Sequence, residues 1–144
     1  MTEGNCKVYR YNKISPFFKH TDYYGFVHPY NYYEWTSYVR ERFFQDTVPN
    51  FLEVISRPIK MMTAKINCAI RAETGFGHDF EARLTVGKIK KVSFDMIIRF
   101  FDLRQNIVVC ETQHTVVFLD SRDGSFSPIP EEMQKVIAGY LEGA

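Results

Sequence analysis

A short segment in the first third of the chain combines the residue types that chemistry on a carbonyl group requires. Asp22 and Gly25 are turn residues, and glycine accepts backbone angles that other residues resist. Pro29 suits the first position of a helix, and apolar residues at helical spacing predict that helix from about Tyr30 to Gln45. A carboxylate just upstream of the electropositive end of a helix can act on a polarised carbonyl. Asp22 is therefore the first candidate for a catalytic group.

Arg40 is the second candidate, because it places a permanent cation on the predicted helix. It shares a face of that helix with Tyr33 and Thr36. One interpretation is a surface cation that pairs with Glu41 or Asp46. The other is a group that holds an oxygen of an acyl chain, or the phosphate of a carrier.

Composition restricts the class of protein. The 144 residues suit a single domain with a sizeable core, and a net charge of +1 argues against nucleic acid as a partner. No signal peptide or membrane-spanning run is visible, so a cytoplasmic protein without a membrane partner is expected.

The histidines lack metal-ligand spacing, and neither a metal nor another cofactor is expected. Three cysteines without a CxxC pair are expected to be reduced, buried residues: Cys6, Cys68 and Cys110.

Aromatic residues are unusually frequent, with 9 Tyr, 13 Phe and 1 Trp, and many lie between Phe17 and Phe51. An aromatic core accounts for this pattern, since large rings dominate the burial of apolar surface. A slot for a flat or long apolar ligand is the alternative interpretation.

The elements that position these residues follow from the hydrophobic periodicity. A first strand is predicted at about residues 7–18, a short helical turn at 51–55 and a last helix from Pro130. Four later runs alternate apolar and polar residues as strands do: residues 62–70, 80–86, 92–100 and 107–119. In the first of these runs, Met62, Ala64 and Ile66 are expected on one face. The order predicts an α+β fold in which an antiparallel sheet is wrapped around one long helix.

The spacing Asp22-x-x-Gly25-x-Val27, with Tyr32 ten residues after the acid, resembles the hotdog-fold acyl thioesterases related to 4-hydroxybenzoyl-CoA thioesterase. The later Gly77-His78-Asp79-Phe80-Glu81, with Ser93 in the following strand, is similar to the second half of that family. The resemblance extends from about Tyr9 to Leu119. It implies a single hotdog domain over residues 1–144 that assembles as a homodimer or homotetramer.

The resemblance also implies an activity and a site. In that family the acid at the position of Asp22 is the nucleophile or general base that cleaves an acyl thioester of coenzyme A or of an acyl carrier protein. The start of the helix supplies a backbone N–H to the thioester oxygen. Substrate contacts are then expected from the turn and the helix start: Gly25, Val27, His28, Tyr30, Tyr32 and Tyr33.

A narrower similarity is to the thioesterases that release polyketides in enediyne biosynthesis. It rests on Trp35 and on the run from Arg40 to Phe44, and in those enzymes an arginine at the position of Arg40 takes part in the site. It implies release of a polyketide or aromatic acyl chain, with Arg40 beside Asp22 as a catalytic residue. The enediyne enzymes carry Asn at the position of Asp22, so the acid belongs with the broader family.

Pro29 departs from the broader family, because it falls where a backbone N–H would be offered to the carbonyl and proline has none. The contact is then expected to move to the N–H of Tyr30 or His28. Two other functions stay open. One is a non-catalytic hotdog protein that binds an acyl or aromatic ligand, and the other is a hotdog dehydratase that pairs His28 with an acid.

The one local basic cluster comprises Lys88, Lys90 and Lys91. It is either the solvated end of a hairpin or a contact for the phosphates of coenzyme A or of a phosphopantetheine carrier.

Overall fold

The computed structural model describes residues 6–143, which form one antiparallel sheet and three α-helices. The strands are β1 (Tyr9–Ile14), β2 (Ile59–Ile70), β3 (Phe80–Ile89), β4 (Ser93–Asp102) and β5 (Ile107–Asp120). The helices are α1 (Tyr30–Thr47), α2 (Phe51–Ser56) and α3 (Glu131–Ala138). The strand order is β1-β3-β4-β5-β2, so the first two strands of the chain are the two edges of the sheet. The predicted sheet wrapped around one long helix is confirmed.

The central helix α1 begins at Tyr30 as predicted and runs two residues beyond the expected end at Gln45. The helix ends there because Pro49 has no N–H and cannot continue the helical hydrogen bonds. Asn50 then turns the chain with a φ of 53° in the left-handed region. The helix buries one aromatic-rich face against the sheet through Tyr32, Val39, Phe43 and Phe44. Burial of each large apolar side chain contributes about 1.5–3 kcal/mol, so this face holds the helix in place.

The core lies between α1 and the inner face of the sheet, and the alternation in β4 shows which residues form it. Every second residue of β4 is buried, and the residues between them face outwards. The buried residues are the apolar Phe94, Met96, Ile98 and Phe100 and, at the end of the strand, Asp102. Tyr32 of the helix packs on this layer, with its ring centroid 5.2 Å from that of Phe100. The frequent aromatics therefore build the core, although many others remain on the surface.

One prediction about the edge strand β2 is wrong. The strand begins at Ile59, and its register with β5 shifts between Thr63 and Lys65. An extra residue in a strand reverses which face the following side chains occupy. Ile66 is paired with the buried His114 and lies on the helix side, whereas Met62 lies on the opposite face. Alternation alone does not reveal a bulge, because the residue types on both sides of it still alternate.

The other edge strand is shorter than predicted. β1 ends at Ile14 and the chain then forms a single 3-10 turn at Phe18–His20. Pro16 has no N–H for a strand ladder, which accounts for the early end. The cysteines also differ from expectation, because only Cys110 is fully buried. All three are free thiols, and the sulfurs of Cys68 and Cys110 lie 3.5 Å apart.

Candidate active site

Asp22 lies in a tight turn that its own side chain stabilises. One carboxylate oxygen, Oδ1, accepts hydrogen bonds from the backbone N–H groups of Tyr24 at 2.9 Å and Phe26 at 3.1 Å. Gly25 takes a φ of 83°, the conformation for which a glycine is needed. Residues 6–143 supply no donor to the second oxygen, Oδ2. One oxygen of the carboxylate therefore stabilises the turn, and the other is left without a hydrogen-bond donor among the described residues.

The turn docks onto a second loop through a very close backbone contact. The N–H of Val27 donates to the carbonyl of Thr74 at 2.7 Å, and Phe26 forms a bridge with Gly75. A Cβ atom added to Gly75 would lie 2.1 Å from the carbonyl oxygen of Gly25. This approach is therefore possible only with glycine at position 75.

A fully buried carboxylate anchors this second loop. Asp102, at the end of β4, accepts hydrogen bonds from the hydroxyl of Thr74 at 2.6 Å and from Nδ1 of His78 at 2.8 Å. The side chain and backbone of Gln105 and the backbone N–H of Arg104 donate to it as well. Burial alone would raise the pKa of Asp102, but these hydrogen bonds outweigh it and lower the pKa to about 2. The loop that supports the Asp22 turn is thus tied to a core carboxylate that is ionised at neutral pH.

A cavity of about 330 Å³ opens beside Asp22. Apolar and polar groups from the turn, the helix start, the end of β2 and the second loop form its walls: Val27, Pro29, Tyr32, Ile70 and Thr74. A larger groove of about 520 Å³ lies beside α2, but its walls bring together no candidate catalytic group. The Asp22 cavity therefore combines concave shape with an acid, as a small-molecule site requires.

The start of α1 offers one backbone donor near this cavity. The N–H of His28 is already bonded to the carbonyl of His20 at 2.9 Å, and Pro29 has no N–H. The next N–H, that of Tyr30, makes only a long contact of 3.5 Å with Nδ1 of His28. The N–H groups of Asn31 and Tyr32 donate to the carbonyls of His28 at 3.0 Å and Pro29 at 3.1 Å. Of the two donors expected from the sequence, Tyr30 is thus the available one.

Arg40 lies away from the Asp22 cavity, and the structure does not bring these two candidates together within one chain. Its Nη1 donates to the hydroxyl of Thr63 at 2.7 Å and lies 3.3 Å from Nδ1 of His114. Burial lowers the pKa of Arg40. The nearby acid Asp46 pairs with Arg42 instead, at 3.0 Å. Arg40 is thus a half-buried cation that forms no salt bridge within residues 6–143.

The remaining predicted contacts separate into two groups. Val27 and Tyr32 are buried and line the cavity, and burial raises the pKa of the Tyr32 phenol. His28, Tyr30 and Tyr33 have exposed side chains outside the cavity walls. Gly25 contributes only its backbone conformation, which the turn requires. The ring of His28 lies 4.4 Å from that of Tyr30, and no carboxylate of the described part of the chain hydrogen-bonds it.

Sequence reasoning missed Thr74, Asp102 and His114. Each becomes part of a site through contacts between residues far apart in the chain, and none carries a local motif that identifies it. Among residues 6–143, no three His, Cys, Asp or Glu side chains are placed to hold a metal ion. Within the same residues, no helix is long and apolar enough to cross a membrane.

Comparison with solved structures identifies the class of fold. The dynemicin thioesterase superposes with a TM-score of 0.84 over 96% of this chain and 100% of its own, at 18% identity. A 1,4-dihydroxy-2-naphthoyl-CoA thioesterase from Synechocystis gives a TM-score of 0.81 over 92% and 96%, at 14% identity. A 12:0-ACP thioesterase from Umbellularia californica gives 0.80 over 95% of this chain and 51% of its own, at 12% identity. The expected hotdog fold is confirmed.

The family follows from the sequence itself. The family model described as the Thioesterase-like superfamily matches residues 18–137, from the 3-10 turn to the last helix. The chain belongs to this superfamily. No curated protein sequence matches the chain.

Proposed function

We propose that this protein hydrolyses an acyl thioester of coenzyme A or of an acyl carrier protein, with Asp22 as the general base or nucleophile. The observation that carries the proposal is that Asp22 lines a cavity beside the start of α1 and that its Oδ2 accepts no hydrogen bond within residues 6–143. Membership of the thioesterase-like superfamily supports it. The matched structures include thioesterases named for aromatic acyl-CoA and for acyl-ACP substrates.

The chemistry requires few groups, because a thiolate leaves readily. As a base, Asp22 takes a proton from a water molecule whose oxygen attacks the thioester carbon. The carbonyl oxygen then carries negative charge, which the N–H of Tyr30, in place of its long contact with His28, and the positive end of α1 stabilise. Collapse of this intermediate breaks the C–S bond, and the thiolate takes up the proton. As a nucleophile, Asp22 instead forms an anhydride that water hydrolyses.

We propose that the active form is a homodimer, or a tetramer of two such dimers. No strand within residues 6–143 pairs with the outer side of β2, and its Ile66 and Ile70 side chains are 44% and 47% exposed. Unpaired apolar edges favour association with a second strand. Antiparallel pairing of two β2 strands about a two-fold axis would set the Ile70 end of one copy beside the Thr63 end of the other. Because these ends adjoin Asp22 and Arg40 respectively, the pairing would complete one site from two copies.

The acyl group is expected to be apolar, with an aromatic ring or a long chain. Tyr32 and Ile70 give the cavity apolar walls, and exposed aromatic residues surround its mouth, among them Tyr24. The dynemicin thioesterase structure is described with a bound polyene. Release of a polyketide or aromatic chain is therefore the narrower form of the proposal.

The test is the release of free thiol from a panel of acyl-CoA and acyl-carrier substrates. Asp22→Asn keeps an oxygen that can accept the two turn hydrogen bonds, so the variant should fold normally yet lose about a hundredfold in rate. Asp123→Asn is the matched control, because Asp123 also caps a turn, through Ser125, far from the cavity. A near-normal rate for Asp22→Asn would refute the assigned role of Asp22.

The second candidate is a protein that binds an acyl or aromatic ligand without hydrolysing it. The absence of an N–H at Pro29 favours it, because the oxyanion then has one backbone donor fewer. No thiol release from any substrate, together with saturable binding of a non-hydrolysable thioether analogue, would establish this alternative. A dehydratase using His28 would instead show double-bond formation on a 3-hydroxyacyl thioester.

A further inference from the structure

Two of the three free thiols lie side by side on neighbouring strands. Cys68 of β2 and Cys110 of β5 have their sulfur atoms 3.5 Å apart. In the strand register Cys68 is opposite Thr112. Cys110 is opposite Ile70, two residues further along β2, so the two cysteines form a diagonal pair. Side chains at diagonal positions of adjacent strands can interact, but the proposed hydrolysis uses neither thiol.

The two thiols differ in their access to solvent. Cys110 is fully buried, and burial raises the pKa of its thiol, so this group is protonated at neutral pH. Cys68 is half-buried and is the thiol that a small molecule can reach. An accessible thiol beside a second, protected thiol is suited to reversible oxidation, because the second sulfur captures the first once it is oxidised.

The cysteine pair adjoins the Asp22 cavity. Ile70, the strand partner of Cys110, forms part of the cavity wall. Tyr32 forms another part, and the pKa of its phenol is raised mainly by burial and further by the nearby groups Cys110 and Cys68. A change in the pair therefore acts next to two walls of the cavity.

A bond between the two sulfur atoms would require β2 to move. The sulfur atoms of a disulfide are about 2 Å apart, so the two thiols have to approach each other from 3.5 Å. Diagonal positions are more widely separated than directly opposite ones, and closure therefore shifts β2 relative to β5. Within residues 6–143, β2 pairs with β5 alone, so this strand is freer to shift than a central one. Ile70 moves with its strand, and the cavity changes shape.

We propose that Cys68 and Cys110 form a reversible oxidation site, at which a hydroperoxide converts the two thiols to a disulfide that reshapes the Asp22 cavity. The sulfur of Cys68 attacks one peroxide oxygen and becomes a sulfenic acid, and the O–O bond breaks to release water or an alcohol. The sulfur of Cys110 then attacks the oxidised sulfur, and its proton leaves with the hydroxyl group as water. Two thiols are oxidised and one peroxide is reduced. The bond itself is independent of the proposed hydrolysis, whereas its effect on the rate rests on that function.

The first experiment maps the bond. Folded wild-type protein is treated with a few equivalents of hydrogen peroxide, unfolded in N-ethylmaleimide and digested for mass spectrometry. We expect a peptide cross-linked through Cys68 and Cys110, which dithiothreitol added before alkylation should remove. Cys6→Ala is the matched control and should form the same bond, because Cys6 contacts the carbonyls of Lys7 and Tyr140 near the other edge of the sheet.

Two further variants separate the roles of the two thiols. Cys110→Ala keeps a small apolar side chain in the core, and its Cys68 should stop at the sulfenic acid, which dimedone labels. Cys68→Ala should leave Cys110 unlabelled, because that thiol is buried. Unmodified Cys68 and Cys110 in peroxide-treated wild type would overturn the site. Dimedone labelling of wild-type Cys68 as strong as in Cys110→Ala would also overturn it.

The effect on the cavity is measured on the same oxidised protein. We expect kcat/KM for the best thioester substrate to fall at least threefold on oxidation and to recover with dithiothreitol. Cys68→Ala should keep its rate in peroxide, since the reachable thiol of the pair is gone. If no substrate is hydrolysed, the dissociation constant of a thioether analogue replaces the rate, so failure of the proposed hydrolysis leaves this test intact. An unchanged rate or dissociation constant in protein that carries the mapped bond would overturn its role at the cavity.

Discussion

Thr74 offers a direct test of how the Asp22 turn is held. Thr74→Val preserves shape but removes the 2.6 Å hydrogen bond to Asp102. A hydrogen bond to a charged group contributes about 1.5–3 kcal/mol, and the upper part of that range applies here because Asp102 is fully buried. The carbonyl of Thr74 holds Val27, so the variant should also loosen the turn that presents Asp22. We therefore expect a loss of about 2–3 kcal/mol in unfolding free energy together with a reduced kcat/KM.

The pH dependence of the unfolding free energy is a second quantity that tests this prediction. Asp102 has a pKa of about 2 in the folded protein against 3.8 ordinarily. This difference contributes about 2.5 kcal/mol of stability, which is present above pH 4 and lost as the pH falls from about 3.8 to about 2. Loss of one donor raises the folded-state pKa of Asp102. The unfolding free energy of Thr74→Val should therefore depend less on pH in this window.

A matched control separates this effect from the general cost of removing a buried hydroxyl. Thr85 donates to Glu142 at 2.6 Å, but the Glu142 side chain is 32% exposed and lies away from the cavity. Thr85→Val should cost less, at most about 1.5 kcal/mol, and should leave kcat/KM unchanged. Thr74→Ser should restore both quantities. Urea unfolding and initial rates measure them, and equal losses in both valine variants, or a normal kcat/KM for Thr74→Val, would refute the reasoning.

Three further perturbations test separate parts of the structure. Gly75→Ala places a Cβ 2.1 Å from a backbone oxygen of Gly25, and we expect a loss of at least 2 kcal/mol, seen as a lower melting temperature. The pKa of His114 is about 4 when folded and near 6.5 when unfolded, so protonation below pH 6.5 favours the unfolded state, and the free energy of unfolding should fall by about 3 kcal/mol between about pH 6.5 and about pH 4. Urea titrations should show this decrease in wild type but not in His114→Gln. Ile66→Lys adds a charge to the exposed edge of β2 and should shift the protein towards a monomer. Sedimentation velocity measures this shift, and an unchanged sedimentation coefficient would contradict pairing through this strand.

The fold was predictable where local rules decide the structure. The start of α1 follows from Pro29, its end from Pro49, and the buried face of β4 from strict alternation. The bulge in β2 was not predictable, because its position depends on pairing with β5 and the sequence still alternates across it. A bulge is a property of two paired strands, and the residue pattern of a single strand does not show it.

The residues of the candidate site were likewise predictable only where local contacts define them. Asp22 and Gly25 form a turn through contacts within five residues, and that spacing is visible in the sequence. The roles of Asp102 and His114 depend on partners 28 and 74 residues away, Thr74 and Arg40. Neither has a neighbour in sequence that distinguishes it from an ordinary strand residue. Such residues become identifiable only when the fold shows a buried polar group and its partners.

The start of α1 shows why the backbone contacts matter for chemistry as well as for stability. Three consecutive positions before the helix are excluded as donors, because Val27 and His28 use their N–H groups internally and Pro29 has none. An oxyanion beside Asp22 would then have the N–H of Tyr30 as its backbone donor, and a single donor stabilises it less than the usual pair does. A second donor has to come from a side chain or from another copy of the chain. The dimer proposed through β2 would supply Arg40 for that purpose, which is why a monomeric variant such as Ile66→Lys should lose activity as well as assembly.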